Sequence, residues 1–295
     1  MTSFLLAIPW IMLAADTESR NPSSEQFRNA WSARYQQIKT VEYVLEGTEL
    51  LTPEFLVGIA QAPDSFVVMQ RPVQIVCRID FPKKRIYVHH DYYQWQVHLE
   101  RFVRRIDQVY FDEAHNRYES HTEFFDKALR AKYSDDSEKA KLIGQSVEFY
   151  PVWIGNGIIP FLGNRSSIFA YPDYTDDSRT NWSVSNPETG PPKPLNQVVY
   201  LDIRQTARPL RYRCLLDPQT GWLPRRVAFE RSDCTTFEMS VSYVSDMDTA
   251  IPDKWEVTVF STNGRIERSV TLSCKSRAVN EDLPDELFRV HKKGD

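Results

Sequence analysis

No stretch of this chain is long and apolar enough to cross a bilayer as a helix, which takes about 20 residues. Charge of one sign is scarce too: 36 basic residues against 40 acidic leave a net charge of −4. That balance gives no reason to expect a nucleic-acid partner. The basic groups Lys83-Lys84-Arg85, Arg104-Arg105 and Arg225-Arg226 are short and read as solvated strand faces. The chain has four cysteines, and none stands in a C-x-x-C or Cys/His zinc spacing. No H-E-x-x-H is present, and the adjacent His89 and His90 would point to opposite faces of a strand, so one ion could not easily take both. No serine sits in a G-x-S-x-G elbow, and Gly155-Asn156-Gly157 lacks the Lys-Ser/Thr ending of a phosphate loop. These absences leave metal, cofactor and enzyme readings without support. There is no internal repeat and no low-complexity tract.

What is present is strand pattern. Phe237, Met239, Val241 and Tyr243 alternate with polar residues, as do Ile266, Arg268, Val270, Leu272 and Cys274. Period-2 alternation of this length predicts an antiparallel sheet with one buried face. Turn residues agree: Asp217–Gly221 separates two runs, and Asn263-Gly264 predicts a tight type I′ hairpin between Trp255–Thr262 and Arg265–Cys274. Earlier in the chain, Ser23 or Ser24 caps an expected helix over Glu25–Lys39, with Phe27, Ala30, Trp31, Arg34, Tyr35 and Ile38 as its stripe. Strands are expected at Thr40–Leu50, Phe55–Ala60, Ser65–Gln70, Pro72–Phe81 and Arg85–Trp95. A leading helix followed by a strand meander predicts the α+β class.

The middle of the chain is mixed. Leu99, Phe102, Val103 and Ile106 have helical spacing, but Gln108–Phe111 and Arg117–His121 read as a hairpin. Helices are expected at Glu123–Tyr133 and Asp136–Ile143, and residues 172–194 read as a long loop. The expected organisation is one domain over 16–295 with a helical and loop insertion at about 97–195, its flanking strands sharing one sheet. Residues 1–15 read as a signal peptide: the apolar run Phe4–Ala15 ends in Leu-Ala-Ala and is followed by polar sequence, although no basic residue precedes it. A periplasmic or secreted location follows, with no transmembrane span in the mature chain.

Three cysteines, Cys77, Cys214 and Cys274, share the apolar parity of their strands and are expected to be buried thiols. Cys234 falls in a hairpin tip, too far along the register from Cys214 to bond with it. Val152–Leu162 is a separate feature. Trp153, Ile154, Ile158, Ile159, Phe161 and Leu162 make it too apolar for water, and Gly155, Gly157 and Pro160 break it too often for a central strand or a long helix. It is expected to be a lid or plug over the open side of the sheet.

The run Leu216–Arg226, the strand pair after it, and Asn280-Glu281-Asp282-Leu283-Pro284-Asp285-Glu286-Leu287-Phe288 resemble bacterial secreted proteins related to the outer-membrane lipoprotein carriers of the LolA/LolB type. The leading helix running directly into Thr40–Leu50 fits as well. The resemblance covers the C-terminal third and, more loosely, the first fifty residues. It implies a curved antiparallel sheet, an unclosed half-barrel, whose concave face is covered by helices and loops and holds acyl chains. Large inward candidates for such a cavity are Tyr43, Ile79, Phe237, Met239, Tyr243 and Trp255. The implied function is non-catalytic binding of a lipid, acyl chain or lipoprotein, with no cofactor. The competing expectation is a ligand-free envelope interaction module whose own helices fill the cavity.

Overall fold

The computed structural model describes residues 24–58, 68–112, 114–115, 117–126, 180–185, 199–205, 210–231, 234–246 and 249–290. The first element is helix α1, Ser24–Gln37. It buries Phe27, Trp31 and Arg34, and Ile38 just beyond its end, at spacings of four and three. These are the residues of one helical stripe. Asn280, from the far end of the chain, caps the end of this helix. It adopts φ 59°, donates its Nδ2 to the Gln37 carbonyl and accepts the Lys39 amide on Oδ1. Its own amide reaches the Thr40 carbonyl, so the helix end and the first strand are tied to the far end of the chain.

Twelve strands follow: β1 Thr40–Leu51, β2 Met69–Asp80, β3 Arg85–Gln96, β4 Arg101–Asp112, β5 Arg117–Phe124, β6 Thr180–Ser185, β7 Val199–Gln205, β8 Leu210–Asp217, β9 Leu223–Arg231, β10 Cys234–Asp246, β11 Thr249–Phe260 and β12 Ile266–Val279. They form a single open sheet in the order β5-β4-β3-β2-β1-β12-β11-β10-β9-β8-β7-β6. Every described pairing is antiparallel. β1 is the seam: it pairs with β2 on one side and β12 on the other, so strands from both parts of the chain share the sheet. With only two α-helices, α1 and a six-residue second one, and short 3-10 turns among the described residues, the architecture is more β than the α+β class expected from the leading helix.

Several local expectations change. Residues 55–58, expected in a strand, lie in helix α2, Pro53–Gly58. The cause is local: Thr52 Oγ1 accepts the Phe55 amide at 3.4 Å, and Pro53 stands at the first helical position, where a missing N–H costs nothing. The two strands expected at Ser65–Gln70 and Pro72–Phe81 meet in one, since β2 runs unbroken from Met69 through Pro72 to Asp80. Glu123 and Phe124, expected to begin a helix, extend β5 by pairing with Ile106 and Arg105. The expected insertion at 97–195 therefore contributes β4 and β5 to the sheet. The expected loop 172–194 contains β6, held by pairing such as Trp182 with Ile203.

The Asn263-Gly264 turn is real but of a different type. Only Gly264 has positive φ, 78°, its amide bonds to the Ser261 carbonyl, and Ser261 pairs with Arg265. That is a three-residue loop, a type I turn closed by a left-handed glycine. At the other turn Asp217 caps the Gln219 amide, and Gly221 and Trp222 both take positive φ, 68° and 65°. Trp222 is held in this unusual conformation by α1: its carbonyl accepts the Trp31 indole N–H at 3.1 Å, and its ring meets Phe27 edge-on at 5.2 Å.

A smaller cluster, Tyr87, Tyr110, Leu283, Phe288 and Val290, lies on the opposite face of β3 and β4. The segment after β12 is thus a strap across the outer face, and this is the structural work of the Leu283–Phe288 motif. Charges fasten it. Arg85 pairs with buried Asp80 at 2.9 Å and with Asp285 of the strap at 2.8 Å, and it stacks over the Phe288 ring. Hydrogen bonding from Arg85, then from Lys83, holds the Asp285 carboxyl below the usual carboxylate range. A group depressed by folding stabilises the fold above its unfolded pKa, and that contribution disappears as pH falls through the folded value. Urea midpoints measured from neutral to acid pH should therefore fall less steeply for Asp285→Asn than for the parent. Parallel curves would show that the strap ion pair does not couple to folding.

The four cysteines are free thiols. Cys77 and Cys214 are fully buried, and burial pushes the Cys77 thiol up. Cys274 departs from expectation: it is only half-buried, although it stands opposite buried Leu45 and packs against the edge of the core. Cys234 is exposed at its hairpin tip. A thiol reagent should modify Cys234 at once and Cys274 more slowly, and it should reach Cys77 and Cys214 only after unfolding. Fast native labelling of Cys77 or Cys214 would contradict the placement of β2 or β8.

Candidate functional site

The face of the sheet that carries α1 can be built from alternation alone. β1 sends Val41, Tyr43 and Leu45 to it, and β2 sends Val73, Ile75, Cys77 and Ile79. The register places Tyr43 beside Cys77 and Val41 beside Ile79. On the other side of the seam, Met239 and Val241 of β10 stand opposite Val257 and Trp255 of β11. Tyr43 and Trp255 meet edge-to-face with centroids 5.9 Å apart, an aromatic pair spanning β12. Phe27, Trp31 and Ile38 of α1 belong to the same cluster.

The structure thus brings five of the six cavity candidates together as buried residues, Tyr43, Ile79, Phe237, Met239 and Trp255. Tyr243 is half-buried and packs against them. Its hydroxyl donates to the Pro224 carbonyl at 2.8 Å, and burial pushes that hydroxyl up. All six contribute to one apolar face, part of which α1 covers. The expected lid residues Trp153, Ile154, Ile158, Ile159, Phe161 and Leu162 lie outside the described residues, as do the expected helix Asp136–Ile143 and residues 1–15, expected as a signal peptide. One open surface cavity of about 520 Å³ lies elsewhere, between the turn ends of β10 and β11, lined by Cys234, Glu238, Phe260 and Asn263 among others.

Toward the end of the sheet where β1 finishes, the same face turns polar. Glu49 is buried and pairs with Arg268 of β12. On β3 and β4, buried His90 faces Asp107 across the ladder and stacks flat on Tyr92 at 4.2 Å. Asp107 is the hub of that group. It accepts from the Tyr92 hydroxyl at 2.9 Å, Arg105 Nε at 2.9 Å and the Thr122 hydroxyl at 2.7 Å. A buried carboxylate with several donors is well compensated. This arrangement fixes strand register and leaves no metal-type cluster: among the described residues no three His, Cys, Asp or Glu side chains group to hold an ion. The sequence alone places the histidines on strands or the surface and does not reveal this polar row. The available signal was parity, since Glu49 stands in step with Tyr43 and Leu45, and His90 with Ile86 and Val88.

No helix among the described residues is long and apolar enough to cross a membrane. No protein-family model matches the chain, and no curated protein matches it.

Proposed function

We propose that this chain is a non-catalytic envelope protein that holds an acyl chain, as lipid or lipoprotein, against the apolar face of a half-barrel. The observation that carries the reading is the open sheet itself, whose aromatic and aliphatic face at Tyr43, Met239 and Trp255 begins directly after a helix laid on that face. A sheet that curves without closing cannot fill its own concavity by strand packing alone. Met and aromatic side chains adapt well to flexible chains. The resemblance to carriers of the LolA/LolB type points the same way, and with it a periplasmic or secreted location.

A second reading is favoured by one observation: Phe27, Trp31 and Ile38 of α1 are themselves buried on this face. In that case the helix is the permanent filling and the protein is a ligand-free interaction module. Titration with an environment-sensitive fluorescent fatty acid separates the two. The carrier reading expects saturable enhancement that unlabelled fatty acid reverses. No enhancement, or enhancement without saturation, favours the module.

A further inference from the structure

We propose that the anionic end of the bound amphiphile is held by Arg71, where β2 and β3 part, with the alkyl chain leading away along the neighbouring apolar residues. The inference rests on the carrier reading and specifies the ligand class and its orientation.

Arg71 shares the parity of Val73 and Ile75, and its cross-strand neighbour on β1 is Glu49. That carboxylate pairs with Arg268 instead. Other arginines on β2, β3 and β4 have carboxylate partners: Arg78 has Glu42, Arg85 has Asp80, Arg104 has Asp91 and Arg105 has Asp107. Arg71 has no carboxylate among the described residues. Its Nη1 reaches only the adjacent Gln70 carbonyl at 3.5 Å, and its Nη2 the Met69 sulfur at 3.8 Å. Its Nε is shut away from solvent with no acceptor. The guanidinium lies 4.4 Å over the Phe102 ring, which stabilises the cation from one side only. A desolvated donor of this kind is costly unless an acceptor arrives.

The backbone provides the place. The β2–β3 ladder ends at Gln74 and Asp91, although β2 begins at Met69 and β3 continues to Gln96. Pro72, which has no N–H to give, lies in the stretch of β2 that pairs with β1 alone. Leu51 and Met69, of one parity, therefore meet Trp95 and Phe102, of the other, together with Leu56 of α2. The exposed large apolar side chains of the described residues, Val68, Val97, Phe125 and Ile266, all stand at this same end of the sheet. A planar guanidinium beside an aromatic and aliphatic wall matches a carboxylate or phosphate carried on an alkyl chain.

The test is direct titration by intrinsic tryptophan fluorescence with three single-chain ligands: a long-chain fatty acid, a lysophosphatidylglycerol and the neutral fatty alcohol. Arg71→Met keeps the length and apolar body of the side chain, and Arg71→Lys keeps the charge without the fork. Arg71→Met should weaken an anionic ligand by roughly tenfold or more, the effect of one charge-assisted hydrogen bond, and leave the alcohol within about twofold. Arg71→Lys should fall between. Whichever anionic ligand loses more identifies carboxylate or phosphate as the natural group. Equal losses for acid and alcohol, or no loss for either anion, overturn the assignment while leaving the carrier reading intact. If the parent binds none of the three, both fail together. Should Arg71→Met not fold, the Arg71→Lys ratio of acid to alcohol affinity decides, and an unchanged ratio counts against the proposal.

Discussion

Adding one methyl group at Gly47 is expected to cost at least about 3 kcal/mol, the top of the ordinary overpacking range. Gly47 lies in β1 between Val73 of β2 and Leu272 of β12. A Cβ there would overlap the Thr271 carbonyl oxygen and come within 2.8 Å of its carbon. Both atoms are backbone of β12, so no side-chain rotation relieves the clash. The strand must move, and β1–β12 is the seam that joins the two parts of the sheet. Urea unfolding of Gly47→Ala would show a much lower midpoint or no folded baseline. A loss under about 1 kcal/mol, within what a repacked methyl costs, would mean that β1 and β12 do not approach as described. By contrast, Gly264 meets nothing within 4 Å; its requirement is positive φ alone.

Trp255→Ala should rank beside it, with a loss of about 3–5 kcal/mol, the usual range for truncating a buried aromatic. Trp255 is fully buried on β11, opposite Val241 and Leu272. It is also the partner of Tyr43, and such an aromatic pair adds about 0.5–1.5 kcal/mol beyond area burial. The remaining cavity would lie beneath the face assigned to the ligand. If an alkyl chain shares that face, a fatty-acid probe should bind Trp255→Ala with altered affinity even where the variant remains folded. A stability loss below about 1 kcal/mol would place Trp255 outside the core.

The parts of the fold that were legible in the sequence are those governed by local period. The stripe Phe27, Trp31, Arg34, Ile38 marked α1, and the alternation from Val41 to Leu45 and from Phe237 to Val241 marked both strands and buried face. Short-range cap chemistry was present but outweighed by composition. Thr52-Pro53 announces α2, whereas the apolar residues after it have the composition of a strand. β6 was hidden because Thr180–Ser185 is short and flanked by turn-forming residues, and its partner, β7, supplies the reason it is a strand.

The candidate site divides along the same line. Its apolar members follow from parity. The polar row of Glu49, Arg71, His90 and Asp107 does not, because which carboxylate each cation meets depends on register between strands distant in sequence. Glu49 with Arg268 is a pairing no local pattern reveals. Nor does any local pattern show that Pro72 stands where one ladder ends.

Extraction of the purified protein into organic solvent, followed by mass spectrometry, tests the central claim most directly. The carrier account predicts a co-purifying single- or double-chain lipid in reproducible stoichiometry, enriched over the lipid composition of the host and reduced in Trp255→Ala and Arg71→Met. Protein that releases no lipid, or only traces that mirror the host membranes and do not respond to either substitution, would contradict it.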